Sequence, residues 1–329
     1  MASSSNEIMS NPASVEEMTL AVKWAGKEYT VRVCGDDSVG ELKRRICELT
    51  NVLPKRQKLL NVKAGVKPAQ DSSLLSQLAL KPGIKILMMG TVEDEIFVDP
   101  VSAPEILDDF ELGEEDTVDI KDAEVNKAKL RRRVDQYKLT LLNPSRPGKK
   151  CLVLDIDYTI YDHRSTAENT KELLRPHVHE MLKAVYPAYD IIIWSATSLK
   201  WVEIRMKELG VLNNENYKIT ALLDHLAMIT VQSASRGVFD CKPLGIIWAK
   251  CPEYHSGNTI MFDDLKRNFV MNPQNGLVIK PYRKAHMNRA TDRELVGLTE
   301  YLLSIAELED LSHLDHRRWY EYIEHQWKP

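Results

Sequence analysis

Two aspartates, one residue apart, close an apolar run: Cys151-Leu-Val-Leu154 leads into Asp155 and Asp157. Alternate side chains of an extended segment point the same way, so both carboxylates can face one site just past a strand end. Two carboxylates at such a point repel each other and cost desolvation. A hydrophobic core has no use for the pair, whereas a divalent cation does. In an open α/β sheet the carboxyl end of a strand is also where ligands bind. A calcium loop of the EF-hand type is excluded. It wants glycine at its sixth position and glutamate at its twelfth. Counted from Asp155, those places hold Ile160 and Thr166.

Three further places carry chemically useful side chains. Ser195 closes the apolar run Ile191-Ile-Ile-Trp194. Lys242 precedes Pro243 and the helical stretch Leu244 to Ala249. Asp263 and Asp264 end the run Thr259-Ile-Met-Phe262. Taken singly these read as a helix cap, a surface lysine and a second cap. Taken together they form a set of strand ends and helix starts that can converge on one pocket.

The ordered set Asp-x-Asp-x-Thr, Ser, Lys, Asp-Asp resembles the four motifs of the haloacid-dehalogenase superfamily, whose members transfer phosphoryl groups through an aspartyl phosphate. The resemblance implies Mg²⁺ as cofactor, with Asp155, the backbone carbonyl of Asp157, and Asp263/Asp264 around it. It implies Asp155 as nucleophile and Asp157 as general acid and then base. Ser195 and Lys242 would hold the transferring oxygens. Thr159 shapes the turn after the nucleophile and is counted with them as phosphate-binding. Asn268 is expected to orient the site.

These residues need a scaffold. From Leu152 to Ile279 strands and helices alternate, the pattern of a parallel sheet covered on both faces. The fold class is α/β: a Rossmann-like phosphatase domain over 127–329, closing in C-terminal helices. Thr159 to Ser195 leaves no room for a cap domain. Ser195 to Lys242 leaves a modest insert, in which Tyr217–Leu223 and Met228–Val231 read as a small sheet. An open site suits a phosphorylated segment of another protein better than a metabolite.

Ahead of it, Thr19–Trp24 and Glu28–Val33 alternate around Ala25-Gly26-Lys27, a β-hairpin. Asp36-Asp37-Ser38 then offers N-caps to a helix from Val39 to Leu49, with Val39, Leu42, Ile46 and Leu49 on one face. Gln57–Leu60 and Ile84–Met88 read as strands, with a short helix around Leu74–Leu78. This order resembles ubiquitin, a β-grasp fold, over 18–90. Met89-Gly90-Thr91 runs straight on, so the module is fused for docking rather than conjugated. The likeness puts Leu60, Leu87 and Lys85 on its partner surface.

The rest of the chain is less specific. Residues 1–17 read as a disordered leader and 91–126 as an acidic linker. From Glu93 to Glu124 there are fourteen acidic side chains against Lys121 alone. The sign reverses from Lys127 to Lys150. Lys127–Arg133 fits a helix on the catalytic domain, a nuclear import signal or a solvated face. A formal charge of −4 gives no footprint for nucleic acid, and no apolar run is long enough for a membrane span. Five scattered cysteines form neither a disulfide framework nor a zinc set.

An uncapped Asp-x-Asp-x-Thr domain with a small strand insert resembles the phosphatases of the RNA polymerase II C-terminal domain. A ubiquitin-like domain ahead of it, Arg175-Pro176 and Lys242-Pro243 place the resemblance in the branch carrying such a module. That branch implies a nuclear serine/threonine phosphatase, tethered to the proteasome and acting on its regulatory subunits. The alternatives are a catalytically silent adaptor, a phosphatase of the polymerase tail itself, and a small-molecule phosphatase.

Overall fold

The computed structural model describes residues 17–78, 80, 84–92, 119–233 and 236–326. The chain divides into two compact units, Met1–Ile96 and Phe97–Pro329.

In the first unit β1 (Glu17–Trp24) and β2 (Lys27–Cys34) pair antiparallel, with Trp24 opposite Lys27. Ala25 and Gly26 between them have φ of 48° and 77°. Two left-handed residues give the turn a twist that matches the strands it joins. Leu20, Val22, Val31 and Val33 point inward. The helix α1 (Val39–Thr50) starts in a capping box between Ser38 and Glu41. Val39, Leu42 and Ile46 are buried, but Leu49 is 47% exposed, a correction to the expected apolar face. Cys47 and Thr50 take the inward places at that turn.

The strand expected at Gln57–Leu60 shrinks to β3 (Lys58–Leu59). The Gln57 amide is spent on the carbonyls of Lys43 and Val52, which ties it to the end of α1. A two-residue hairpin follows, β4 (Lys63–Ala64) and β5 (Lys67–Pro68). It is too short to leave an alternating pattern. Then β6 (Lys85–Met89) enters parallel to β1 and antiparallel to β3, giving the order β2-β1-β6-β3.

Glu17 opens β1, so the expected leader gives up its last residue to the fold; residues 1–16 lie outside the described residues. The expected linker also needs correcting at its far end. Residues 93–118 lie outside the described residues, but Ile120 is buried and packs with Ile229 and Val231. Asn126 donates to the Ile120 carbonyl at 2.9 Å. One apolar side chain inside the acidic run is enough to anchor it. The basic stretch belongs to α2 (Glu124–Gln136), in which Lys129 and Arg133 are buried and Lys129 Nζ donates to Thr230 O at 3.0 Å.

The second unit is built on a parallel sheet in the order β13-β12-β7-β8-β9. Its strands are β7 (Lys150–Leu154), β8 (Tyr189–Trp194), β9 (Ile219–Leu223), β12 (Thr259–Asp263) and β13 (Gly276–Val278). Every residue of β8 and β9 is buried, which is why they read as continuous apolar runs. One face, with Leu152, Ile191 and Phe262, packs on α3 (Val178–Val185), α4 (Leu199–Glu208) and α7 (Glu294–Ser304), which follows the short α6 (Ala285–Asn288). The other, with Val153, Ile192 and Met261, packs on α5 (Gly245–Lys250) and receives Leu130 of α2.

The insert differs from expectation. Tyr217–Leu223 is not part of it: this segment contributes β9, an edge strand of the main sheet. The insert is a hairpin, β10 (Ile229–Ser233) with β11 (Gly237–Cys241), packed with Ile120, Val270 and Met271. Among the described residues it builds no cap domain. At the C-terminal end Trp319, opening α8 (Trp319–Gln326), packs beside Tyr301 and against Gly297.

Candidate active site

Asp155 continues β7 by one ladder bond, donating its N–H to Phe262 O at 3.0 Å. The chain then turns. Tyr158 takes φ of 61°, and its carbonyl accepts from Tyr282 N at 2.7 Å. A non-glycine residue in that region is strained and marks a tightly determined loop. Thr159 is fully buried and donates its hydroxyl to Asp155 Oδ2 at 3.0 Å. It positions the carboxylate.

Lys242 follows β11 and reaches the sheet from the side. Its ammonium donates to Asp155 Oδ1 at 2.5 Å, Asp263 Oδ2 at 2.6 Å and Trp194 O at 3.0 Å. An ammonium has three hydrogens, and here they are divided among the carboxyl ends of β7, β12 and β8. Burial alone would drive the proton off Lys242, but the charges of Asp155 and Asp263 outweigh it and hold the group protonated well above its usual range.

Asp263 is fully buried. Its Oδ1 accepts from Leu265 N at 2.9 Å, and Asn268 Nδ2 lies 2.8 Å from both oxygens. The expectation for Asn268 thus takes a definite form: it orients Asp263. Asp264, also buried, accepts no hydrogen bond from the described residues. Burial, then the neighbouring Asp263 charge, push its carboxyl up to about 7 against the pull of Lys242 and Arg283. Burial likewise raises Asp155, against the opposing effect of Lys242 and with the added repulsion of Asp263, Asp264 and Asp157.

Oxygens of Asp155, Asp263 and Asp264 lie within 4.8 Å of one another. Three buried carboxylates against one ammonium leave excess negative charge, and hard oxygen donors suit Mg²⁺-like cations. Asp157 stands outside this group. Its carboxylate is partly exposed and lies 3.2 Å from His163 Nδ1. Ser195 is fully buried, and its hydroxyl is shared with Thr197 at 2.9 Å. Asp155, Lys242, Asp263 and Asp264 therefore meet directly, while Asp157 and Ser195 lie on separate strand-end loops beside them.

Two features escaped the sequence reading. His163, six residues past Asp157 in a loop, has no pattern to mark it. Arg175 was noted only as part of a motif. Its guanidinium is buried, paired twice with Asp292 at 3.0 Å, and donates to Thr159 O and Lys280 O. It clamps the loop after Asp155 to the start of α7, 117 residues away.

In the first unit Leu60 and Leu87 are 41% and 43% exposed, and Lys85 pairs with Glu28 at 3.0 Å. Lys85, Leu87 and Met89 share the outer face of β6, whereas Ile86 and Met88 face the core.

A parallel sheet with paired aspartates at its central strand end, a buried lysine and a second acidic pair defines a phosphatase of the haloacid-dehalogenase type. Residues 150–312 match the model of the NLI interacting factor-like phosphatases, and residues 19–92 match the ubiquitin family. The chain is 70% identical over 310 residues to the ubiquitin-like domain-containing CTD phosphatase of Arabidopsis thaliana, covering 94% of this chain and 91% of that one. It is 52% identical to the Gallus gallus protein named ubiquitin-like domain-containing CTD phosphatase 1, over 93% and 98% of the two chains, and 51% identical to that of Homo sapiens over the same shares. The chain belongs to the ubiquitin-like domain-containing CTD phosphatase family, and it is a protein phosphatase.

Proposed function

We propose that the protein is a Mg²⁺-dependent phosphoserine/phosphothreonine phosphatase working through an aspartyl phosphate on Asp155. The observation that carries this reading is the meeting of Asp155, Asp263 and Asp264 around the buried Lys242 ammonium. Asp155, the backbone carbonyl of Asp157 and Asp264 would hold the ion. Of the acidic pair Asp264 is the better placed to take the ion, since Asp263 already accepts from Lys242, Leu265 and Asn268 and is held in place by them. When bound, the ion neutralises phosphate charge that would otherwise repel an anionic nucleophile.

An Asp155 oxygen forms the bond to phosphorus as the bond to the serine or threonine oxygen breaks. Asp157 gives its proton to that departing oxygen. It then removes a proton from the water that hydrolyses the aspartyl phosphate. Lys242 keeps positive charge beside the transferring oxygens, and the Ser195 hydroxyl lines the same side. Among the described residues the insert between Ser195 and Lys242 adds only the hairpin β10–β11 beyond β9, too little for a closed lid, which suits a polypeptide substrate.

The ubiquitin-like domain docks the enzyme on the proteasome through Leu60, Leu87 and Lys85, and proteasomal regulatory subunits are the substrate. Exposure of both leucines supports the docking face. A second reading is favoured by the relatives' names, namely the phosphorylated C-terminal domain of RNA polymerase II. Nuclear placement rests on the family likeness. Lys129 and Arg133 are buried, so Lys127–Arg133 is a poor import signal. The test is phosphopeptide turnover with Mg²⁺, with and without purified proteasome. Chelation and Asp155→Asn should each abolish it, by roughly a thousandfold or more for the variant. Equal turnover by Asp155→Asn would remove the nucleophile assignment.

A further inference from the structure

A recess of about 160 Å³ opens beside Asp157, between the loop after β7 and the loop after β13. The two loops are fastened to each other. Tyr282 N donates to Tyr158 O at 2.7 Å, and Ala285 N donates to Asp162 Oδ2 at 2.9 Å. Lys284 takes φ of 53° and ψ of 55°, so both loops hold a non-glycine residue in the left-handed region. Strain of that kind persists only where the surroundings over-determine the backbone. The recess is therefore a built feature.

Its lining is cationic. His163, Arg164, Arg283 and Lys284 surround it, and Asp162 is the one carboxylate among them. That carboxylate is buried and turned inward, its oxygens occupied by the backbone N–H groups of Arg164, Ser165 and Ala285. Three cationic side chains, Arg164, Arg283 and Lys284, therefore face the recess against this one carboxylate. Among the described residues no carboxylate is ion-paired with Arg164, Arg283 or Lys284. Arg283 stacks on the Tyr158 ring at 4.7 Å, and its Nε is buried without a hydrogen-bond partner. His163 touches the recess on one side and Asp157 on the other, at 3.2 Å.

We propose that this recess binds a second anionic side chain of the substrate polypeptide, flanking the phosphoserine or phosphothreonine being cleaved. The shared chemistry is an oxyanion, supplied by glutamate, aspartate or another phosphorylated residue. The inference rests on the phosphatase reading above and gives it a sequence preference. Arg164 and Lys284, exposed at the rim, supply the charge. Arg283, fixed against Tyr158, supplies the directed donor. The enzyme thus selects acidic or multiply phosphorylated segments.

The test compares kcat/KM for phosphopeptides that differ at one flanking residue, with alanine, glutamate, phosphoserine or lysine placed at each neighbouring position in turn. At the best position glutamate or phosphoserine should exceed alanine by about tenfold, the scale of one charge-assisted hydrogen bond. Lysine should fall below alanine, and the differences should shrink as salt is raised. The double variant Arg164→Glu/Lys284→Glu should invert the order of glutamate and lysine peptides. Each enzyme's ratio is taken within its own peptide panel, so a general loss of folding cancels. A gain confined to phosphoserine supports a site that reads a phosphate dianion; a gain shared by glutamate supports a general oxyanion site. Turnover of an aryl phosphate with Mg²⁺ but no gain at any position overturns the inference. So does an unchanged preference in the double variant. Absence of aryl phosphate turnover by the unaltered enzyme would instead overturn the phosphatase mechanism on which the inference rests.

Discussion

The Lys242 ammonium stands 2.5 Å from Asp155 Oδ1, and the lysine side chain is wholly enclosed. The pair joins the end of the insert hairpin to the end of the central strand. It brings a positive charge to the one point where three carboxylates crowd. Removing the lysine leaves those carboxylates buried and uncompensated. Lys242→Met should destabilise the protein by about 3–5 kcal/mol and eliminate turnover. Mg²⁺ should raise the melting temperature of this variant more than that of the unaltered protein. An equal shift in both would show that the lysine does not balance the acidic group.

Arg175 and Asp292 predict a loss of a different kind. The guanidinium has four contacts from full burial, two to Asp292 and two to carbonyls. Arg175→Ala should cost about 3–5 kcal/mol, as expected for one half of a buried ion pair. Arg175→Lys should recover only part, because a lysine cannot reproduce the fork. Denaturant unfolding of the isolated second unit measures both. A change under about 0.5 kcal/mol for the alanine variant, the scale of a surface substitution, would contradict the clamp.

His316 gives a pH dependence away from the acidic cluster. It is buried against Tyr301, and burial lowers it to about 4, against the weaker effect of Asp315. A folded-state value below the unfolded value means that the unfolded chain takes up the proton more readily. Stability from this group is complete above about 6.5 and is lost as pH falls toward about 4. Between pH 7 and pH 5 it should account for about 2 kcal/mol. His316→Asn should flatten that part of the stability profile. An identical slope in the variant would remove the assignment.

The outward face of β6 predicts binding without folding cost. Leu60 and Leu87 are each more than two-fifths exposed, so Leu60→Ala and Leu87→Ala should change stability by less than about 0.5 kcal/mol. Each should weaken capture of the proteasome regulatory particle in a pull-down. Unchanged capture by both variants would move the contact surface elsewhere.

Much of the site was legible because chemistry needs rare arrangements. Charged residues at the ends of apolar runs have few structural uses, so Asp155, Asp157 and the Asp263-Asp264 pair stood out before any fold was known, and Lys242 joined them only through its place in the ordered motif set. The sheet was legible for the same reason, since strands buried on both faces read as unbroken apolar runs. The assignments that changed were those that local pattern cannot decide. Tyr217–Leu223 reads from its spacing as an insert strand; pairing with β8 makes it part of the main sheet. Leu49 fits the helical period, but α1 turns it outward near its end. Ile120 sits in an acidic run, and only its contact with β10 pulls that segment into the domain.

Residue types and order determined an alternating α/β domain behind a smaller strand-rich module, and their likeness to known motifs implied a phosphatase with a ubiquitin-like module and named the acids and the lysine of its site. Tertiary structure decided how those groups divide their work. Hydrogen bonds of Lys242 to three strand ends, of Asn268 to Asp263 and of Thr159 to Asp155 depend on side chains brought within about 3 Å by folding. The clamp from Arg175 to Asp292 spans 117 residues of chain. Period and spacing report what lies next along a strand or helix. They carry no record of which distant side chain will share a buried charge, because that is settled only when the layers close.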